Sequence, residues 1–230
     1  MSLYRKTFSR KNIFLAVVHV ESKKQGLRNA RIAQEEGADG VFLINHNISY
    51  SSLIECYTHI REQLSNLWIG LNCLDLGMAN IGIIPRETHG LWVDNAGIKE
   101  NDSNPVIETE RFVEMRKKSG WQGIYFGGVA FKYQESVKDA ARVARLAIPF
   151  MDVVTTSGNG TGMAADIDKI RKMKQAIGDH PLAIASGITP ENVSEYIPHT
   201  DCFLVATGIS DSHTELNPAR VRKLANILQK

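Results

Sequence analysis

Short, uniformly apolar runs alternate along this chain with longer segments whose apolar positions recur three and four apart. The first run, residues 13–18, ends on polar His19. Apolar at every position, it predicts a strand covered on both faces, as in a parallel sheet. A helix is expected over 24–36, with Leu27, Ala30 and Ala33 on one face and Gly37 as its stop. Residues 41–44 repeat the strand pattern and run into Asn45, His46 and Asn47, after which Leu53, Tyr57, Ile60 and Leu64 mark an amphipathic helix.

Further strands are predicted at 67–71, 91–93, 123–126, 152–156, 182–185 and 203–206. The third crossover, 74–85, is a poor helix because Gly77 and Gly82 interrupt it. The next helix starts at Asn104-Pro105 and ends near Gly120. Val137, Ala140, Ala141 and Ala144 line the fifth; Ile167, Ile170, Met173 and Ile177 line one that starts from Ala164. Thr189-Pro190 cap and open a short helix, and Asn217-Pro218 begin the last, with Val221, Leu224 and Leu228 inward.

Eight strand-helix units joined by right-handed crossovers close a (β/α)8 TIM barrel, here a single α/β domain over residues 1–230. Misreading the weak third helix or fourth strand would turn it into an open doubly wound sheet. Residues 1–12 form an N-terminal extension, in which Met1-Ser2-Leu3 reads as vector-derived. Trp68, Trp92 and Trp121 are expected to pack between barrel and helices.

A net charge of +2 with acids and bases interspersed leaves no field to draw nucleic acid or an anionic membrane, and no apolar run reaches transmembrane length. Cys56, Cys73 and Cys202, odd in number and far apart, argue against a disulfide framework and fit a reducing cytoplasm. Without His-x-x-x-His or Cys-x-x-Cys spacing, no metal site is expected. No cofactor is expected either: Met163 stands where a dinucleotide fingerprint needs glycine, and no Gly-Lys pair exists for a phosphate loop of the nucleotide-hydrolase kind. A homo-oligomer is compatible with this composition.

Three strand ends carry a hydroxyl residue beside glycine: Ser157-Gly158, Ser186-Gly187 and Thr207-Gly208. In a barrel the strand-to-helix loops gather around one axis, and those after the last strands commonly hold phosphate on free backbone amides. With Gly160 and Gly162 close behind Gly158, a phosphorylated small molecule is the expected partner. Ser157, Gly158, Gly160, Ser186, Gly187, Thr207 and Gly208 are its expected contacts, aided by a short extra helix near 209–213. The plainer reading is that these glycines only let the chain turn.

The residues expected to move protons are His19, Asp94 and Lys132. Asp94 follows an apolar strand and would present a carboxylate at the mouth beside a cation such as Lys132. His46 occupies a strand end as His19 does, Asp166 reads as a helix-start charge, and Cys73 as a buried thiol without a base beside it.

The run 156–162 with Asp166, then Ala185-Ser186-Gly187-Ile188-Thr189-Pro190-Glu191-Asn192-Val193, residues 203–208 and Asn217-Pro218-Ala219-Arg220-Val221, resemble the BtpA/SgcQ family of barrel proteins. A looser likeness reaches back to Val18-His19 and residues 37–41. The resemblance implies a barrel of the ribulose-phosphate-binding type. It also implies either an isomerase-like or transferase-like enzyme of phosphorylated sugars or phosphoribosyl compounds, or a non-catalytic assembly or regulatory factor like the photosystem I factor that names the family. Members tend to carry Asp-x-His-x-Lys-His after strand five, where this chain has residues 127–133 and keeps only Lys132. The loop after the first-strand histidine is shortened to Val20-Glu21-Ser22-Lys23.

Overall fold

Strands apolar on both faces need cover on both, and the chain supplies it by closing the sheet on itself. The structure, a computed structural model, describes residues 1–100 and 107–230. Strands β1 (Ile13–Val20), β2 (Gly40–Asn45), β3 (Ile69–Asn72), β4 (Gly90–Val93), β5 (Ile124–Gly128), β6 (Val153–Thr156), β7 (Leu182–Ala185) and β8 (Cys202–Val205) pair in sequence order. All pairs are parallel, and β8 returns to β1. The fold is the expected TIM barrel.

Helices α1 (Leu3–Thr7), α2 (Lys23–Glu35), α3 (Tyr50–Gln63), α4 (Ile107–Ser119), α5 (Ala140–Ala147), α6 (Ile167–Ile177), α7 (Val193–Tyr196) and α8 (Pro218–Leu228) accompany the strands. The glycine-interrupted third crossover is a 3-10 turn, Gly77–Gly82. The predicted start at Asn104-Pro105 lies outside the described residues. Three helices begin later than their patterns suggest. Asp139 caps α5, so Val137 precedes it; Asp166 caps α6, accepting from the Asp168 amide; α7 starts at Val193, not at Pro190. The extra helix is a 3-10 turn at Thr207–Ile209, ahead of the expected 209–213.

Residues alternate between two apolar layers, as the period of a strand requires. Ile13, Leu15 and Val17, Phe42 and Ile44, Trp92, Phe126, Val153, Ala183, Ala185 and Leu204 fill the barrel, while Phe14, Ala16, Val18, Val41 and Leu43 face the helices. Trp68 and Trp92 belong to the inner layer, contrary to expectation; Trp121 lies in the outer one. Their rings meet Phe42 edge-on at 5.3 and 5.7 Å, and Gly70 and Gly90 leave the wall bare where Phe42 and Trp68 press against it. A glycine wall makes room for an aromatic plug.

The amino ends of the strands are closed by carboxylates. Asp39, Asp152 and Asp201 each precede a strand, accept the backbone N–H of a residue in the adjoining strand (Phe14, Tyr125 and Leu182), and pair with Arg10, Arg116 and Lys174. Residues 1–12 are part of this floor rather than a loose extension. Tyr4 is fully buried, its hydroxyl donating to the Asp201 carbonyl at 2.9 Å, and Phe8 packs 5.5 Å from Trp68. Among the described residues, no helix is long and apolar enough to cross a membrane.

Candidate functional site at the barrel mouth

The inward row of each strand continues past its end, and that places the polar residues. After Leu15 and Val17 comes His19; after Phe42 and Ile44, His46; after Trp92, Asp94. These three, with Lys132 and His213, line a cavity of about 250 Å³, open to solvent, whose floor is apolar: Val17, Ile44, Trp92, Ala185 and Leu204. The indole N–H of Trp92 is buried without a hydrogen-bond partner.

The opposite wall is built by the last three loops. Thr161, Gly162, Ser186, Gly187, Thr207 and Gly208 all line the same cavity. The amides of Gly162, Gly187 and Gly208 make no hydrogen bond to another described residue. The loops lie backbone against backbone. A Cβ on Gly187 (φ 65°) would overlap the Met163-Ala164 peptide, and one on Gly208 the Ile188 carbonyl. Glycine at these positions permits the close approach of the loops.

Three expected phosphate contacts are elsewhere. Ser157 is buried; its hydroxyl accepts the Lys132 amide at 2.7 Å and donates to the Gly158 carbonyl at 2.8 Å. Gly158 packs under the Met163 carbonyl, and the Gly160 carbonyl accepts from the Ser186 hydroxyl at 2.8 Å. These residues shape the loop and seat Lys132, and it is Thr161 and Gly162 that reach the cavity. Because α6 starts only at Ile167, Gly162 lies ahead of its first turn.

Asp94 accepts from the Asn72 side chain at 3.0 Å, and burial raises its pKa above the ordinary carboxylate value, with Asn72 and Lys132 opposing the shift. Lys132 extends toward the Thr161 hydroxyl at 3.4 Å, over the rings of Phe131 and Tyr133, and forms no ion pair with Asp94. The loop carrying it is strained at Ala130 and Tyr133, which have φ of 47° and 64°. Lys169 props that loop from below, donating to the carbonyls of Ala130 at 2.6 Å and Ser157 at 2.8 Å. Burial lowers its pKa to about 8, against the opposing pull of Asp166.

His19, His46 and His213 form a cluster that the sequence reading missed, and His213 was not a candidate. His19 Nδ1 lies 2.8 Å from His213 Nε2, and the rings of His19 and His46 are 4.7 Å apart. Burial first, then the neighbouring imidazoles and Lys132, push the His19 pKa down to about 3. Spacing along the chain argued against a metal site, but the ligand atoms of these three lie within 4.8 Å of one another. His46 was legible at its strand end, as His19 was; nothing local marks His213.

The sequence model of the BtpA family matches residues 90–230. An uncharacterized protein of Methanocaldococcus jannaschii is 22% identical over 229 residues, covering 89% of this chain and 85% of its own. Another, from Thermococcus kodakarensis, is 33% identical over 79 residues, covering 33% and 30%. Among solved structures, (S)-3-O-geranylgeranylglyceryl phosphate synthase of Thermoplasma acidophilum, in complex with its substrate sn-glycerol-1-phosphate, superposes with a TM-score of 0.71 at 14% identity, over 99% of this chain and 98% of that one. Phosphoribosyl anthranilate isomerase of Thermus thermophilus gives 0.66 at 15% identity, over 94% and 98%. At such identities the likeness is one of fold.

Proposed function

The chain belongs to the BtpA family, and from that premise we propose that it is an enzyme acting on a phosphorylated sugar or phosphoribosyl compound. One observation carries the reading: Gly162, Gly187 and Gly208, whose amides have no partner among the described residues, line the same cavity as Asp94 and Lys132. A phosphate held by those amides and by Lys132, with the Ser186 and Thr207 side chains beside it, leaves the remainder of the ligand over the apolar floor and against Asp94. Fixed anchoring of one end places the reacting carbon at the other. Asp94, with its raised pKa, is the proton carrier of an isomerase-like or transferase-like step, Lys132 its electrostatic partner, and His19 a hydrogen-bonding group to the substrate.

Exposed apolar surface at the mouth is compatible with a ligand site: Leu74 and Tyr133 line it and Met163 is next to Gly162, while the other large exposed hydrophobics among the described residues, Met1, Ile83 and Met115, lie away from it. The three buried free cysteines fit a reducing cytoplasm.

The test is thermal melting with ribose 5-phosphate, phosphoribosyl compounds and sulfate. A ligand at a hundred times its dissociation constant adds about 2.7 kcal/mol. Unchanged melting with all of them removes the proposal.

A further inference from the structure

We infer that His19, His46 and His213 bind one divalent transition-metal ion of the zinc class at the edge of the barrel mouth. The site follows from closure of the barrel: β8 pairs with β1 and β1 with β2, so three residues far apart in sequence come from adjoining strand ends. His19 and His46 continue the inward rows of β1 and β2, and His213 reaches over from the loop after β8.

Three imidazoles and no carboxylate are a donor set for Zn2+, Co2+ or Ni2+, and a poor one for Mg2+ or Ca2+. Nitrogens bound to one zinc at about 2.0–2.1 Å stand roughly 3.3 Å apart in a tetrahedron. His19 and His213 are already within that separation, and all three ligand atoms lie within 4.8 Å. His46 and His213 are exposed, so a small rotation of their rings closes the set without moving the core.

The loop that carries His213 is held for the purpose. Buried Gln25 donates from one amide to the carbonyls of both His19, at 3.0 Å, and Thr214, at 2.6 Å. Buried Asn29 donates to the Thr214 carbonyl at 3.1 Å and accepts the Leu216 amide at 2.7 Å. Helix α2 thus fixes the backbone of two of the three histidines relative to each other.

Three protein ligands leave a fourth position open, the arrangement of catalytic rather than structural zinc. All three histidines line the cavity. Lys132 lies on the same cavity and disfavours a bare cation, while Asp94, and Asp211 in the adjoining cleft, offset it. The balance suits an ion whose fourth ligand is an anionic oxygen. This site does not depend on the phosphate proposal, and its test uses no phosphate.

Tag-free protein is stripped with chelator and titrated with Co2+ in phosphate-free buffer, reading visible absorption, then challenged with Zn2+. The expected result is one Co2+ per chain with the intense bands of a tetrahedral centre, displaced by Zn2+. His46→Ala and His213→Ala, both at exposed positions, are expected to keep the melting temperature of the stripped protein and to weaken Co2+ binding by about tenfold or more. Absence of saturable binding, or binding equally tight in the His46→Ala/His213→Ala double variant, would overturn the site and leave only a hydrogen bond between two imidazoles. Melting shifts with ribose 5-phosphate in the stripped protein are read separately, so either proposal can fail alone.

Discussion

His19 Nδ1 lies 2.8 Å from His213 Nε2 although 194 positions separate them, and the Gln25 amide spans the two segments that carry them. Replacing Gln25 by Leu leaves the carbonyls of His19 and Thr214 without that donor. The expected cost is about 1–3 kcal/mol in denaturant unfolding. Co2+ affinity should fall as well, since the loop after β8 loses its tie to β1. Unchanged stability would show that Gln25 does not hold the two segments together.

The packing of the last loops gives a contrast between glycines. Gly187→Ala puts a methyl into the Met163-Ala164 backbone, whereas Gly120, also at positive φ (69°), has open space around the added Cβ. Gly120→Ala is expected to cost only backbone strain, about 1–2 kcal/mol. Gly187→Ala should cost more and also abolish the melting shift caused by sulfate or a sugar phosphate. Equal effects in melting curves with and without ligand would count against the interlocked-loop account.

Asp94→Asn separates chemistry from stability. Burial raises the Asp94 pKa, so between the unfolded value and the raised one the native state holds more protons and stability falls as pH rises; above that window the buried charge carries its full penalty. An asparagine keeps an oxygen for the Asn72 donor and removes the charge. The variant is expected to be more stable than the parent at pH 7, with the difference fading toward pH 4. Turnover, once a substrate is in hand, should drop about 10²- to 10⁴-fold. Urea unfolding at the two pH values measures the first part.

Lys169 titrates in the opposite sense. With its pKa lowered from 10.5 to about 8 by burial, the unfolded chain binds its proton more tightly than the native one. Its contribution therefore rises with pH between about 8 and 10.5 and is flat on either side. Parallel unfolding of the parent and Lys169→Met across that range should show the parent gaining relative to the variant. Parallel pH slopes would exclude a buried charge at this position.

Asp201→Ala removes a nearly buried carboxylate that pairs with Arg5 and Lys174 and accepts the Leu182 amide. Breaking such a group costs about 3–5 kcal/mol. Because it lies at the amino end of the strands, the ligand-induced shift in melting should survive at a temperature where the variant is folded. Loss of ligand response in folded protein would mean that the two ends of the barrel are coupled.

The strands and their order were legible because each is an apolar run long enough to need cover on both faces, and eight of them in strict alternation leave few topologies. The cap at Asn217 read correctly because a single residue decides it. The placing of His19, Asp94 and Lys132 at one mouth also followed from strand ends alone. Where a helix starts after a long loop did not, since apolar spacing continues into the loop that packs on the same core: Ala165 is buried ahead of α6.

What only the tertiary structure decided are contacts made by closure. The pairing of β8 with β1 puts His213 beside His19, and no local pattern encodes a distance across the seam of a barrel. Gly187 against Ala164 and Gly208 against Ile188 are contacts between loops, which neither sequence reading of those glycines included. Trp68 fits inside because Gly90 leaves space there, as Gly70 does for Phe42. A chain records its own periodicities locally, whereas which surfaces meet depends on how all eight units close together.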